Sequence, residues 1–174
     1  MNTLSQSEQM WPESEPTLDV SVGRCLALDV GERRTGVAVG ERLARPLLTL
    51  KRRSKAEDFR AIARLVREHQ IDTLVVGKPL NMDGSEGFAA QRVARYAQRL
   101  VAALAEMGLV VQLAFWDERL STVEAERMLR AGSGKGPGID AAAAAVILQG
   151  YLDHSVKARD AHDDQPAQRG RGRE

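Results

Sequence analysis

The chain has 174 residues, 43% hydrophobic and 28% charged, which is ordinary for one globular domain with a proper core and leaves no room for two large lobes. No apolar segment approaches the ~20 residues of a membrane span, the N-terminus lacks a signal-peptide pattern, and a single cysteine excludes an intramolecular disulfide or a cysteine-rich zinc site. We therefore expect a cytoplasmic protein. Its net charge is only +1, but the acids of the first 22 residues leave the middle of the chain mildly basic, at +4, which is compatible with a nucleic-acid partner.

Composition divides the chain into three parts. Residues 1–22 are rich in Ser, Glu, Gln and Pro, carry four acids and no Lys or Arg, and predict a disordered acidic extension. Residues 23–154 contain the hydrophobic periodicity and are predicted to form one folded domain. Residues 155–174, dominated by Gly, Arg, Gln and Asp, predict a disordered tail.

The first half of the domain is rich in strand patterns. A short turn joins the first two strands as a hairpin, and an S-x-x-E capping box at residues 54–57 begins the first helix. In chain order the predictions are strands at 24–28, 35–40 and 46–50, a helix at 54–68, a strand at 72–77 and a long helix at 87–107.

The second half alternates strand and helix. Its predicted elements are a strand at 109–115, a helix from a second capping box at 121–124 to about 130, a glycine-rich loop at 132–138 and a buried last helix at 139–154. Three leading strands followed by alternating units predict an α/β fold, with a mixed sheet and helices on its faces.

Acidic residues fall where open α/β sheets collect their functional groups, at the ends of strands. Asp29 ends the first strand, the pair Asp117 and Glu118 ends the last, and Asp140 opens the last helix. Taken singly, each acid could equally serve as a turn or helix cap. If they converge, their repulsion calls for a hard cation such as Mg²⁺ or Mn²⁺. Two such ions are the arrangement that hydrolyses phosphodiesters.

Basic residues have two readings. Arg92, Arg95 and Arg99 share one face of the long helix, which fits a solvated face as well as contact with nucleic acid. The GSGKGPG loop around Lys135 is not a Walker A motif, because no Ser or Thr follows the lysine. We expect no catalytic role for the three histidines.

Four segments of the chain resemble, in order, the signature segments of one family. They read LDVGERRTGVAVG, LVVGKPLNMDGSEG, DERLSTVEAE and IDAAAAAVILQGYL and resemble those of the YqgF family, the Holliday-junction-resolvase-like nucleases assigned to maturation of pre-16S ribosomal RNA. The resemblance covers about residues 24–152. It implies an RNase H-like fold, whose five-stranded mixed sheet has an antiparallel second strand and helices on both faces.

The resemblance also implies roles for single residues. Asp29, Glu118 and Asp140 would be the catalytic metal ligands for Mg²⁺ or Mn²⁺, with two ions bound, while Asp117 would orient Arg119. The residues expected to contact substrate are Arg33, Arg34, Lys78, Arg92, Arg95, Arg99, Arg119 and Lys135. Two features depart from the family pattern: Lys78 stands where an apolar residue is usual, and the loop before Asp140 has fewer basic residues.

The implied function is a hydrolase that cleaves structured RNA, most simply in 5′-end maturation of pre-16S ribosomal RNA within ribosomal precursor particles, as endonuclease or exonuclease. A Holliday-junction resolvase acting on branched DNA and a non-catalytic RNA-binding or transcription-associated module remain as alternatives. The first segment is also similar to the phosphate-binding hairpin of actin-like sugar kinases, which need two lobes that this chain lacks. We expect a monomer or a weak homodimer, and no membrane partner.

Overall fold

The computed structural model describes residues 23–120 and 138–163. Within them, one five-stranded sheet has the strand order β3-β2-β1-β4-β5, and three α-helices pack on it. The strands are β1 (Cys25–Val30), β2 (Arg34–Gly40), β3 (Arg45–Lys51), β4 (Thr73–Lys78) and β5 (Gln112–Asp117). The helices are α1 (Lys55–His69), α2 (Phe88–Glu106) and α3 (Ile139–Asp163), and a 3-10 turn (Glu118–Leu120) follows β5.

The sheet is mixed, and its second strand is the antiparallel one. β2 pairs antiparallel with both β1 and β3, whereas β1 pairs parallel with β4, and β4 with β5. The first strand therefore lies in the middle of the sheet, which explains its unbroken apolar run, since such a strand is buried on both faces. The predicted fold class is confirmed.

Alternate residues of the central strand serve two cores. Leu26 and Leu28 pack with α1 and α2, whereas Cys25 and Ala27 belong to the cluster under α3. This division follows from the two-residue period of a strand. The side under α3 is lined mainly by small residues, so the alanine-rich helix approaches the sheet closely.

The first predicted capping box is confirmed in atomic detail. Ser54 is the N-cap of α1; its hydroxyl accepts from the Glu57 amide at 3.2 Å and donates to the Glu57 carboxylate at 3.2 Å. The helix ends at Gln70, whose left-handed φ of 51° lets its amide donate to the Arg67 carbonyl. The second capping box lies outside the described residues.

Two predicted boundaries are wrong. The last strand starts at Gln112 rather than residue 109 and continues to Asp117, because its partner β4 fixes the pairing from Thr73↔Gln112 to Lys78↔Asp117. The last helix does not end at 154 but runs to Asp163, so residues 155–163 are not the predicted tail. Ser155 is buried within this helix, and its hydroxyl donates to the Tyr151 carbonyl at 2.8 Å.

The structure leaves other sequence predictions as they were. The acidic extension at 1–22, the helix at 121–130, the glycine-rich loop with Lys135 and residues 164–174 fall outside the described residues. Where residues are described, no helix combines the length and apolar character needed to cross a bilayer.

Candidate active site

Asp29 lies at the carboxyl end of the central strand, half-buried. Cys25 and Ala27 face α3, and Asp29 comes next in the same alternation, so its carboxylate is on the α3 side of the sheet. Its partner in the antiparallel ladder is Gly36 of β2. The carboxylate of Asp29 therefore lies next to Gly36 of the neighbouring strand and faces α3.

Gly36 lets the first turn of α3 sit directly on the sheet. A Cβ atom at Gly36 would lie 1.8 Å from the carbonyl oxygen of Asp140 and 3.0 Å from the amide nitrogen of Ala141. Only a residue without a side chain fits this backbone contact. Since Gly36 pairs with Asp29, the contact places Asp140 beside the end of β1.

Gly77 makes room for Glu118 on the other side of Asp29. In the parallel ladder Leu28 pairs with Val76, so Gly77 is one residue further along, next to Asp29. A Cβ atom at Gly77 would lie 2.7 Å from Oε1 of Glu118 and 2.5 Å from Cδ1 of Ile147 in α3. The Glu118 side chain therefore folds back over β4, on the α3 side.

The three acids thus gather on one side of the sheet, with Asp29 in the middle. The sequence predicted the acids but missed both glycines. The signal was present, because an isolated glycine in a buried strand commonly marks a close approach of another group.

The carboxylates interact electrically. Burial, followed by the nearby charges of Asp29 and Asp117, raises the pKa of Glu118 to about 7. Burial, followed by the charge of Asp140, also raises the pKa of Asp29 above its usual value. Arg34 partly offsets this repulsion, since its Nε lies 3.7 Å from Oδ2 of Asp140. Without a cation, it is therefore unfavourable for all of these carboxylates to be ionised at the same time.

The chemistry of the donor set fits a hard divalent cation. All three candidate ligands offer carboxylate oxygens, which Mg²⁺ and Mn²⁺ prefer, and they repel each other at the mouth of a partly buried site. In the described part of the chain, no three acidic, histidine or cysteine side chains already stand close enough to hold one ion.

Asp117 and Arg119 form a clamp rather than part of the acid group. Arg119 Nε and Nη2 donate to the two oxygens of Asp117 at 3.0 and 2.6 Å, and Nη1 donates to the carbonyls of Asn81 and Met82 at 3.1 Å. The paired guanidinium holds the pKa of Asp117 below its usual value. This geometry agrees with the predicted orientation of Arg119 by Asp117. It ties the loop after β4 to the 3-10 turn that carries Glu118.

Lys78 points away from the acids. Its ammonium pairs with Glu86 and lies 5.1 Å from the centre of the Phe115 ring, on the side of the sheet that packs against α1 and α2. The side chain is 11% exposed, so its apolar stem is buried in the position where the resemblance led us to expect an apolar residue. The structure does not bring this predicted substrate contact to the acidic site.

The remaining predicted contacts divide between two surfaces. Arg33 is exposed on the hairpin and Arg34 lies beside Asp140. Arg92, Arg95 and Arg99 line a cavity on the opposite side of the sheet. Lys135 is outside the described residues.

We expect Glu118→Gln to stabilise the metal-free protein at alkaline pH. With a pKa raised to about 7 against an ordinary 4.5, the folded protein binds one more proton at this site than the unfolded chain between those values. The free energy of unfolding therefore falls as pH rises through that window. A neutral amide removes the penalty, by about 1 to 2 kcal/mol at pH 8.5 after allowing for solvent screening.

Thermal unfolding with EDTA at pH 5 and pH 8.5 measures the effect. The difference between Glu118→Gln and the wild type should be small at pH 5, where Glu118 is already mostly protonated in the folded state, and large at pH 8.5. Exposed Glu106→Gln, at the end of α2, is the matched control and should show no such change. A Glu118→Gln variant that is less stable at pH 8.5 would contradict the placement of this carboxylate.

Comparison with known proteins matches residues 23–154 to the RuvX family, described as Holliday junction resolvase. A protein of Anaeromyxobacter sp. (strain K), named as a candidate pre-16S rRNA nuclease, is 47% identical over 137 residues, covering 75% of this chain and 96% of the relative. A protein of Caldanaerobacter subterraneus subsp. tengcongensis with the same name is 38% identical over 138 residues, with coverage of 75% and 96%. The family resemblance drawn from the four segments is confirmed.

Solved structures give the fold. Thermus thermophilus RuvC in complex with a Holliday junction substrate superposes with a TM-score of 0.53 at 17% identity, covering 79% of this chain and 95% of RuvC. A second T. thermophilus RuvC structure gives a TM-score of 0.52 at 18% identity, with coverage of 80% and 97%. At this identity the likeness concerns the fold alone, and it confirms the expected RNase H-like architecture.

Proposed function

The chain belongs to the RuvX family, and from this premise we propose that it is a divalent-metal-dependent nuclease that hydrolyses phosphodiester bonds in the maturation of pre-16S ribosomal RNA. The observation that carries the proposal is the gathering of Asp29, Glu118 and Asp140 around the end of β1. The two glycines that leave room for them, Gly36 and Gly77, have no other evident use in a sheet core.

The three carboxylates would hold the metal. Asp29 lies between Glu118 and Asp140 and would act as a ligand together with each of them. We assign two ions to the site, Mg²⁺ or Mn²⁺. Bound there, such ions would supply a nucleophilic water at neutral pH and would stabilise the charge on the leaving oxygen. Oxygen ligands from three separate elements, β1, the 3-10 turn and α3, hold the site at one edge of a rigid sheet.

The protein's own groups then position the substrate. Arg34, next to Asp140, presents a guanidinium at the rim of the acidic site, where a phosphate of the substrate would pass. Arg33 adds an exposed charge on the same hairpin. Such contacts orient a phosphate without reading the bases. Substrate choice therefore depends on the shape of the RNA.

RNA is favoured over a DNA junction as the substrate. The relatives that share 38 to 47% of their residues with the chain carry the ribosomal RNA name, whereas the junction-binding RuvC shares 17%. Cleaving a four-way junction would also need a dimer that places two sites about the crossover. We propose a monomer or weak homodimer that acts in the cytoplasm on ribosomal precursor particles.

Side-by-side cleavage of a pre-16S RNA fragment and a synthetic four-way DNA junction tests the proposal. With Mg²⁺ or Mn²⁺ the RNA fragment should be cut, and EDTA should abolish the reaction, because the carboxylates alone supply no activated water. Gel mapping of the products distinguishes internal from end-directed cleavage.

Two outcomes would overturn the proposed function. Faster cleavage of the junction would move the chain to the DNA-resolvase reading. Tight RNA binding without cleavage under either metal would leave a binding module with idle carboxylates. A scrambled RNA of equal length is the matched substrate control, and it should be cut much more slowly than the precursor fragment.

A further inference from the structure

A cavity of about 240 Å³ lies between α1 and α2, on the face of the sheet opposite the acids. Its walls carry an unusual concentration of positive charge. The cationic side chains that line it are Arg52, Lys55, Arg92, Arg95 and Arg99. Its floor is apolar and includes Val30 at the end of β1.

The cavity is back to back with the candidate active site. Val30 follows Asp29 directly in β1, and successive residues of a strand point to opposite faces. The carboxylate of Asp29 and the side chain of Val30 therefore mark two sides of the same strand end. A chain that leaves the acids and bends around this edge of the sheet enters the cavity at once.

Two of the five cationic side chains form ion pairs with acidic residues of the chain itself. Arg52 donates to the Gly31 carbonyl at 2.8 Å and pairs with the buried Asp58 at 3.4 Å. Arg92 pairs with Glu32 of the hairpin at 2.8 Å. Both pairs tie the hairpin tip and its neighbouring segment to the helices, so they form a wall of the cavity.

The other three cations have no acidic partner in the part of the chain that the structure describes. Lys55, Arg95 and Arg99 form no ion pair with any residue in the two described ranges. Arg92, Arg95 and Arg99 occupy one stripe of α2 that spans about 10 Å at the 1.5 Å rise of a helix. Two members of this row, Arg95 and Arg99, have no acidic partner in the described ranges, and charges spaced along a helix are suited to an extended polyanion rather than to a single small ion.

The aromatic floor is unavailable for stacking a base. Tyr96 is 6% exposed, its ring is covered by the Arg52 guanidinium at 4.9 Å, and Phe59 packs against it edge-on at 5.4 Å. Base-reading single-strand sites instead present open aromatic faces. A ligand in this cavity would be recognised through its phosphates.

We propose that this cavity binds the phosphates of the single-stranded RNA flank on one side of the scissile bond. The proposal rests on the proposed nuclease function and adds a path for its substrate, from the acids around the end of β1 to the α2 stripe. A concave site of this size between two helices admits one strand and not a duplex. The site is independent of base sequence and sensitive to salt.

The double substitution Arg95→Gln with Arg99→Gln tests the cavity by binding alone. Binding of a labelled single-stranded RNA in EDTA, measured by fluorescence anisotropy, should weaken about tenfold or more, since two charge-assisted contacts are lost. The slope of log affinity against log salt should fall by about 1.4, at about 0.7 for each phosphate contact. Arg60→Gln with Arg64→Gln, exposed on α1 outside the cavity, is the matched control.

Cleavage then locates the strand. With the wild type, shortening one flank of the precursor fragment should raise KM at constant kcat, while shortening the other flank has little effect. The Arg95→Gln/Arg99→Gln variant should already show the raised KM and lose this length dependence. Cleavage with the same KM, slope and length dependence as the Arg60→Gln/Arg64→Gln control overturns the proposal.

The two proposals fail separately. If the wild type cuts no RNA but the Arg95→Gln/Arg99→Gln variant still loses affinity and salt slope, the nuclease function fails and the cavity remains a single-strand site. If RNA is cut but the arginine pair behaves as the control pair does, the cavity proposal fails and the nuclease function stands. If the arginine substitutions weaken the binding of duplex RNA more than they weaken the binding of single-stranded RNA, the single-strand assignment is overturned.

Discussion

Asp29→Asn is expected to lower kcat for cleavage of the pre-16S fragment by at least about 10³-fold, because it removes the central carboxylate charge of the proposed metal site. Asparagine keeps the size of the side chain and one of its oxygens, so packing under α3 should not change. Single-turnover cleavage with saturating Mn²⁺ measures the loss independently of product release.

The metal-free fold should not suffer from this change. Burial and the charge of Asp140 raise the pKa of Asp29, so its ionised form is disfavoured in the folded protein, and a neutral amide should unfold at the same or a higher temperature. Asp153→Asn, on the exposed side of α3 where Asp153 accepts from Gln149 at 2.8 Å, is the matched control and should retain activity. Undiminished cleavage by Asp29→Asn would remove the metal assignment of all three acids.

The sequence predicted those parts of the fold that depend on local patterns. The unbroken apolar run before Asp29 is typical of a strand buried on both faces, and the S-x-x-E box at Ser54 marked the start of α1 to the residue. The short turn between the first two strands indicated their antiparallel pairing, and the family resemblance implied the same arrangement. The acids could be proposed because each falls at an element boundary, where side chains reach the edge of a sheet.

What the sequence could not give depends on contacts between distant residues. Gly36 is 104 positions from Asp140 along the chain, yet their backbones touch. Lys78 was one of the expected substrate contacts, but the alternation that puts Gly77 toward α3 turns Lys78, the last residue of β4, to the other face. The cavity between α1 and α2 likewise arises only when Val30, Lys55 and the α2 stripe come together.

The acid group shows a conflict between stability and activity. The carboxylates that would bind a cation include Glu118 and Asp29. Burial and the repulsion from neighbouring acids raise the pKa of both groups. Neutralising either one should relieve the metal-free fold and remove a ligand at the same time. This opposition is typical of functional sites, where part of the fold's stability is lost to keep charged groups close.

Gly36→Ala is expected to cost the protein about 3 kcal/mol of unfolding free energy, at the upper end of overpacking effects. The added methyl would lie 1.8 Å from the Asp140 carbonyl oxygen and 3.0 Å from the Ala141 amide nitrogen, and backbone atoms cannot rotate away as a side chain can. Either β2 bends or the first turn of α3 lifts from the sheet. Both responses move Asp140 away from Asp29, so cleavage should fall together with stability. Urea unfolding monitored by circular dichroism measures the first effect.

Gly77→Ala is the comparison for Gly36→Ala. Both variants replace a glycine in a strand, but only Gly36→Ala introduces a clash with backbone atoms. Its methyl would meet Cδ1 of Ile147 at 2.5 Å and Oε1 of Glu118 at 2.7 Å, both at the ends of flexible side chains, so the stability cost should be about 1 kcal/mol. Glu118 must then turn aside, and activity should drop more than stability does.

Equal unfolding midpoints for Gly36→Ala and the wild type would show that α3 does not rest on β2 at Asp140, and the acids would then lack the support that brings them together.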